Sequence, residues 1–211
     1  CYAPAIKLMG GVVKSLELEP PDYRIAWDMV KRLVSNKTKM IILNSPHNPT
    51  ATILSREDID ELSALVKNQD ILILSDEVYE HLVFDGQEHH SMARYPELQQ
   101  RSMIVASFGK TFHATGWKMG YCLAPAYLMQ EFRKIHQFLV FSVNTPLQYA
   151  IAEYLKDENT YLIAPNGVTM TGSNLNDLGQ EPRTQAHIFG LQGQSYEIKL
   201  TGAEAAPPAS A

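Results

Sequence analysis

The chain has 211 residues, is 45% hydrophobic and 19% charged, and carries a formal net charge of -5. That is an ordinary globular composition, long enough for one large domain or one domain with an appendage, and it offers no basic footprint for nucleic acid or for a membrane surface. No apolar run approaches the roughly 18 residues that span a bilayer, and no secretory leader is visible. Cys1 and Cys122 make no disulfide framework, so a reducing, cytoplasmic setting is expected. The sequence opens at Cys1 without a methionine, inside what reads as structured chain, so the start of a longer domain is expected to be missing.

In chain order, residues 7–18 hold an apolar stretch around Gly10 and Gly11, broken by Glu19-Pro20-Pro21. Residues 23–34 have helical spacing, with Ile25, Met29, Val30 and Leu33 on one face. The run MIIL at 40–43 is too short for a helix and reads as a buried strand, as do ILIL at 71–74 and MIVA at 103–106. Between the first two, Ser55-Arg56-Glu57-Asp58 has the form of a capping box, continued at helical period by Ile59, Leu62, Leu65 and Val66. Residues 85–101 read as a polar, irregular excursion. A short strand is expected at 121–123, then helices at 127–140 and 146–155, the second capped by Thr145 with Pro146 in its first turn.

Composition changes near residue 163. The segment 163–211 is Gly-rich without helical period; 187–189 and 195–200 look like a β-hairpin, and 203–211 (AEAAPPASA) looks disordered. Two units are therefore expected: 1–162, and an unrelated β-rich segment at 163–211. For the first, strands alternating with helices imply an α/β fold with a mostly parallel sheet flanked by helices.

Each of the three strand runs ends in a polar cluster: Asn44–Thr50 (NSPHNPT), Asp76–Tyr79 (DEVY) and Ser107–Thr111 (SFGKT). Strands apolar on both faces belong to covered parallel sheets, whose ligands bind at the carboxyl ends of the strands. An amide, a carboxylate, a phenol and an amine would then converge on one crevice. Lys110 lies in a stretch whose only other ionisable side chain is His113, where desolvation would suit Schiff-base chemistry. Each residue also has a plainer reading: Lys110 as a surface lysine, Asp76 as a cap or ion pair, Asn48 as a turn residue, Tyr79 as core. The ordered set carries more than its members.

In these motifs residues 2 to about 162 resemble the large domain of fold-type I, class I/II aminotransferases, which depend on pyridoxal 5'-phosphate. The likeness is to the methionine/kynurenine branch, and rests on Tyr2-Ala3-Pro4, NSPHNPTAT at 44–52, SDEVYEHLVF at 75–84, SFGKTFHATGWKMGY at 107–121 and FRKIHQFLVFSVNTPLQ at 132–148. It implies that Lys110 carries the cofactor as a Schiff base and shuttles the substrate proton. Asp76 would pair with the pyridine nitrogen, Asn48 and Tyr79 would hold the ring hydroxyl, and Ser107 and Lys118 would hold the phosphate. The implied reaction is transamination between an amino acid and a 2-oxo acid, in a homodimer. The alternative is a non-catalytic fragment with an interaction segment at its end.

Departures from the family pattern are as informative. Ala51 stands where a glycine usually ends the turn, tolerable if its φ is negative. Lys118 replaces an arginine and loses the bidentate fork, and Gly109 replaces a frequent serine. Nothing in 163–211, Arg183 included, matches the family's arginine for the substrate carboxylate. Gly109-Lys110-Thr111 mimics the end of a phosphate-binding P-loop, but that pattern needs glycine where Ile104 stands. His81, His89 and His90 lack a fourth ligand for a metal and read as an exposed loop. Asn36-Lys37-Thr38 is a glycosylation sequon without a secretory context.

Overall fold

The computed structural model of the chain describes residues 2–156 and the backbone of two later strands, Ala186–Phe189 and Ser195–Ile198. Helices α1 (Tyr2–Leu8) and α2 (Trp27–Leu33) precede strand β1 (Met40–Asn44). Then come α3 (Arg56–Val66), β2 (Leu72–Asp76), α4 (Pro96–Gln99), β3 (Ser102–Ser107), α5 (Phe108–Thr111) and β4 (Gly120–Leu123). Helices α6 (Ala126–Leu139) and α7 (Thr145–Tyr154) follow, and Ala186–Phe189 and Ser195–Ile198 are β5 and β6.

The sheet runs in the order β1-β2-β3-β4-β5-β6. Strands β1, β2 and β3 are parallel, with Asn44 opposite Asp76 and Asp76 opposite Val105. Strand β4 returns antiparallel, pairing Ser107 with Gly120. Through β4 the expected architecture holds: a mostly parallel sheet with helices alongside. The hairpin β5–β6 adds antiparallel to its edge. The expected hairpin covered 195–200; residues 199–200, the tail at 203–211 and Arg183 lie outside the described residues.

The capping box forms as read: Ser55 Oγ accepts the Asp58 N–H, and the Asp58 carboxylate accepts the Ser55 N–H. It aims α3 so that Ile59, Leu62 and Val66 lie buried against Ile71, Ile73 and Ile104. Each such side chain contributes about 1.5–3 kcal/mol by leaving water. Strands β2 and β3 alternate strictly between buried and half-buried positions. One face, with Ile73, Ser75 and Ile104, meets the core; the other, with Leu74, Asp76, Val105 and Ser107, is half-covered. The expectation of strands buried on both faces is thus corrected to burial on one face and partial cover on the other. A smaller cluster of Phe108, Met119 and Ile151 joins α7 to α5.

Four local expectations change. The helix expected at 23–34 is confined to Trp27–Leu33; Tyr23 sits at φ +49°, outside helical space. Residues 85–101 are not a solvated excursion, because Met92 and Leu98 are fully buried and a helical turn and α4 form there. The cap of α7 is Asn144, whose side chain accepts the Leu147 N–H, rather than Thr145. Helix α1 has no counterpart among the expected elements. Among the described residues no helix is long and apolar enough to cross a membrane.

Candidate active site

The carboxyl ends of β1, β2 and β3 lie side by side, so their polar caps share one edge of the sheet. Asn44 stitches the first two: its Nδ2 donates to the Asp76 carbonyl at 2.9 Å and its Oδ1 accepts the Asn48 N–H at 3.1 Å. That fixes the turn from which Asn48 Nδ2 donates to the Tyr79 hydroxyl at 2.9 Å. The Lys110 amine lies 5.7 Å from the centroid of the same Tyr79 ring. Asp76 accepts the Val78 N–H at Oδ1 and the Tyr2 hydroxyl at Oδ2, at 3.2 and 2.5 Å. Partial burial and the neighbouring carboxylate push the Tyr2 phenol well above its ordinary range, so it remains a donor.

Asn48, Asp76, Tyr79 and Lys110 are therefore brought together. Ser107 lies at the foot of the same group, capping α5 by accepting the Gly109 N–H at 3.1 Å. Lys118 ends the turn after α5 in left-handed backbone, φ +55°, and is exposed. Among the described residues it makes no hydrogen bond or ion pair with the others. Lys110 is exposed as well, so burial does not supply the desolvation expected of it.

Two departures acquire a physical meaning. Ala51 adopts φ +59°, not the negative φ that would make it innocuous, while its N–H donates to the His47 carbonyl at 2.8 Å. Left-handed backbone costs an L-residue about 1–2 kcal/mol, of which glycine's greater unfolded-state freedom returns part. Ala51→Gly should thus stabilise the chain by about 0.5–1 kcal/mol, seen as a raised urea midpoint at constant slope. At Gly109 a Cβ would stand 2.9 Å from the Thr115 Cα, so this backbone has no room for a serine there.

The pleat that points Asp76 out sends Glu77 inward, and there sequence reading missed a network. Glu77, 1% exposed, accepts the Ser75 hydroxyl at 2.8 Å and the Met92 N–H at 3.1 Å at one oxygen, and meets His89 Nε2 at 2.9 Å with the other. One turn later Glu80, also buried, accepts the Tyr121 hydroxyl from β4. Burial pushes the Glu80 carboxyl up to about 7, against the opposing pull of the Tyr121 hydrogen bond. Burial also pushes His81 down to about 4. The histidines read as an exposed loop are instead buried (His81) or held by Glu77 (His89). A sequence signal did exist: a carboxylate on the core face of a strand end demands partners.

Comparisons with known proteins show the family to which the chain belongs. The family Aminotransferase class I and II matches residues 1–170. Methionine aminotransferase of Escherichia coli (strain K12) is 48% identical over 163 residues, covering 77% of this chain and 42% of that protein. Kynurenine–oxoglutarate transaminase of Dictyostelium discoideum is 31% identical over 225 residues, covering 95% of this chain and 52% of its own. The crystal structure of Escherichia coli YbdL, reported with a methionine aminotransferase function, superposes with a TM-score of 0.75 at 49% identity, over 78% of this chain and 44% of that one. The chain spans about half the length of these relatives, or less. It belongs to the class I and II aminotransferase family.

Proposed function

We propose that this chain forms the cofactor-holding part of an aminotransferase acting between an amino acid, of the methionine, aromatic or glutamine type, and a 2-oxo acid. One observation carries this: a lysine amine, a phenol–amide pair and a strand-end carboxylate, drawn from three polar clusters, gather at the carboxyl ends of the strands. Members of the family use pyridoxal phosphate, and the donor set here fits it. Asp76 Oδ2 already takes a proton donor from Tyr2, as it would take the N–H of a protonated pyridine. Asn48 and Tyr79 would hold the ring hydroxyl, and Ser107 and Lys118 the phosphate. Bound there, the cofactor supplies an electron sink for the negative charge that develops at the substrate α-carbon. Lys110 offers the amine that anchors it and, once free, a base to carry the α-proton.

The change of composition near residue 163 supports reading 1–162 as part of the large domain and 163–211 as a separate segment in a cytoplasmic protein. A second copy is the proposed partner. Phe138, Leu139 and Phe141, each about four-fifths exposed, form an apolar patch at the end of α6 that a homodimer would cover. Size-exclusion chromatography with light scattering should show pairing or larger association, and Phe138→Glu with Leu139→Glu should return the chain to a monomer. A wild type that is monodisperse and monomeric would remove this part of the proposal.

The test of function is an absorbance spectrum with pyridoxal phosphate, then borohydride reduction and peptide mapping. A single adduct at Lys110 supports the reading. Scattered labelling supports the second one, a non-catalytic chain with an interaction segment, which the exposure of Asn48, Lys110 and Lys118 favours.

A further inference from the structure

We propose that Glu80 is a positioning residue of this site: neutral, it clamps the turn carrying Tyr79 against β4, and ionised, it lets that turn loosen. The inference rests on the reading above only in treating Tyr79, Asn48 and Lys110 as site residues.

The argument begins with the turn. Its closing hydrogen bonds run from the Glu80 N–H to the Glu77 carbonyl at 2.9 Å and from the Leu82 N–H to the Tyr79 carbonyl at 2.8 Å. Tyr79 therefore lies between two buried carboxyls, Glu77 and Glu80. Glu77 ties the turn to residues 89–92, and Glu80 ties it to Tyr121. Tyr121 sits opposite Ala106, one residue before Ser107, and its ring lies 5.3 Å from that of Phe108 at the start of α5. The Glu80–Tyr121 contact thus joins the half of the site bearing Asp76 and Tyr79 to the half bearing Ser107 and Lys110. No other side-chain hydrogen bond among the described residues links this turn to β4.

The groups facing Glu80 are Tyr121 from β4, Glu77 one turn earlier, His89, and His81, whose Nε2 is 3.6 Å from Glu80 Oε1. His81 is itself buried, and its Nδ1 has no partner among the described residues. Glu77 and burial oppose ionisation; Tyr121 and His89 favour it. The sign follows from linkage. The closed turn holds its proton up to about 7, whereas an opened, hydrated carboxyl releases it near the ordinary range. Glu80's own contribution therefore makes opening easier as pH rises from about 4.5 to about 7 and levels off above. His81, held neutral by burial in the closed turn down to about 4, contributes in the opposite direction over the lower part of that range. One unit of that window is worth up to about a factor of ten.

The test uses the full chain without cofactor. Hydrogen-exchange protection of the Glu80 and Leu82 amides, corrected for intrinsic rates, should fall as pH rises across this window relative to the same amides in Glu80→Gln, by up to roughly tenfold per unit. Glu80→Gln, which keeps the shape and an acceptor for Tyr121, should fold and lose the Glu80 contribution, leaving the opposing one of His81, a protection that rises with pH up to the ordinary histidine range. Tyr121→Phe removes a hydrogen bond that favours the carboxylate, so the fall should continue to higher pH, and this variant decides if Glu80→Gln fails to fold. Infrared spectra should show a protonated-carboxyl band that titrates over the same range and is missing in Glu80→Gln. A profile that is the same in the wild type and in both variants overturns the proposal. Borohydride trapping of pyridoxal phosphate separates the two readings: no adduct at Lys110 in the wild type sinks the proposed function, while the amide profile still decides the role of Glu80.

Discussion

Lys110→Ala should abolish site-specific capture of pyridoxal phosphate, leaving only the scattered labelling that surface lysines give. The expected effect is all-or-none because no second amine is held over the Tyr79 ring among the described residues. Lys118 stands nearby in sequence, in left-handed backbone, but among the described residues it makes no hydrogen bond or ion pair with the group. Lys110→Arg is the stronger control, since it keeps a cation over the ring but cannot condense with a carbonyl, and should also give no adduct. Asp76→Asn keeps the amine and loses a charged partner for the ring nitrogen. A charge-assisted hydrogen bond is worth about 1.5–3 kcal/mol, so capture should weaken by roughly 10- to 100-fold while the adduct stays at Lys110. Peptide mapping of all four proteins after reduction decides the matter. An adduct at the same yield in Lys110→Ala would mean that the convergence of these side chains has no chemical consequence.

What could be read from the sequence follows from which forces leave a local trace. The runs MIIL, ILIL and MIVA, and the Ser55–Asp58 box, are local signals, and each became the strand or cap expected, although β1 is half-covered rather than buried. So did the convergence of Asn48, Asp76, Tyr79 and Lys110, because parallel strands bring like ends together. Backbone torsion left no such trace: Ala51 and Tyr23 adopt positive φ with side chains that give no hint of it. Residues 85–101 were misread because their anchors are polar. Met92 and Leu98 are buried there through hydrogen bonds to Glu77 and the Leu98 carbonyl, and a buried carboxylate or serine counts as surface in any periodicity. The exposure of Lys110 follows its plainer reading as a surface lysine, since a lack of neighbouring charges in sequence is not burial in space.

Glu77→Ala is the substitution expected to harm the fold most. It would leave the Met92 N–H, the Ser75 hydroxyl and His89 Nε2 without their partner, all in a place where water cannot substitute. Each orphaned buried group costs about 1–3 kcal/mol, and relaxation recovers part, so a loss of about 3–5 kcal/mol is expected. That is a large share of the roughly 5–15 kcal/mol by which domains are stable. Glu77→Gln should be milder, at about 1–2 kcal/mol, since its carbonyl still accepts from Met92 and Ser75. Its amide would then face His89 Nε2, which must become an acceptor by moving its proton to Nδ1, an atom that is buried without a partner among the described residues. Urea unfolding of the three proteins measures the order, wild type above Glu77→Gln above Glu77→Ala. The damage should spread to the site, because the turn that bears Tyr79 begins at this residue: Lys110 capture should fall in Glu77→Ala under conditions where the chain remains folded. Equal midpoints for wild type and Glu77→Ala would mean that the inward-facing carboxyl does not hold residues 89–92 to the strand, and that the buried segment owes its place to Met92 and Leu98 alone.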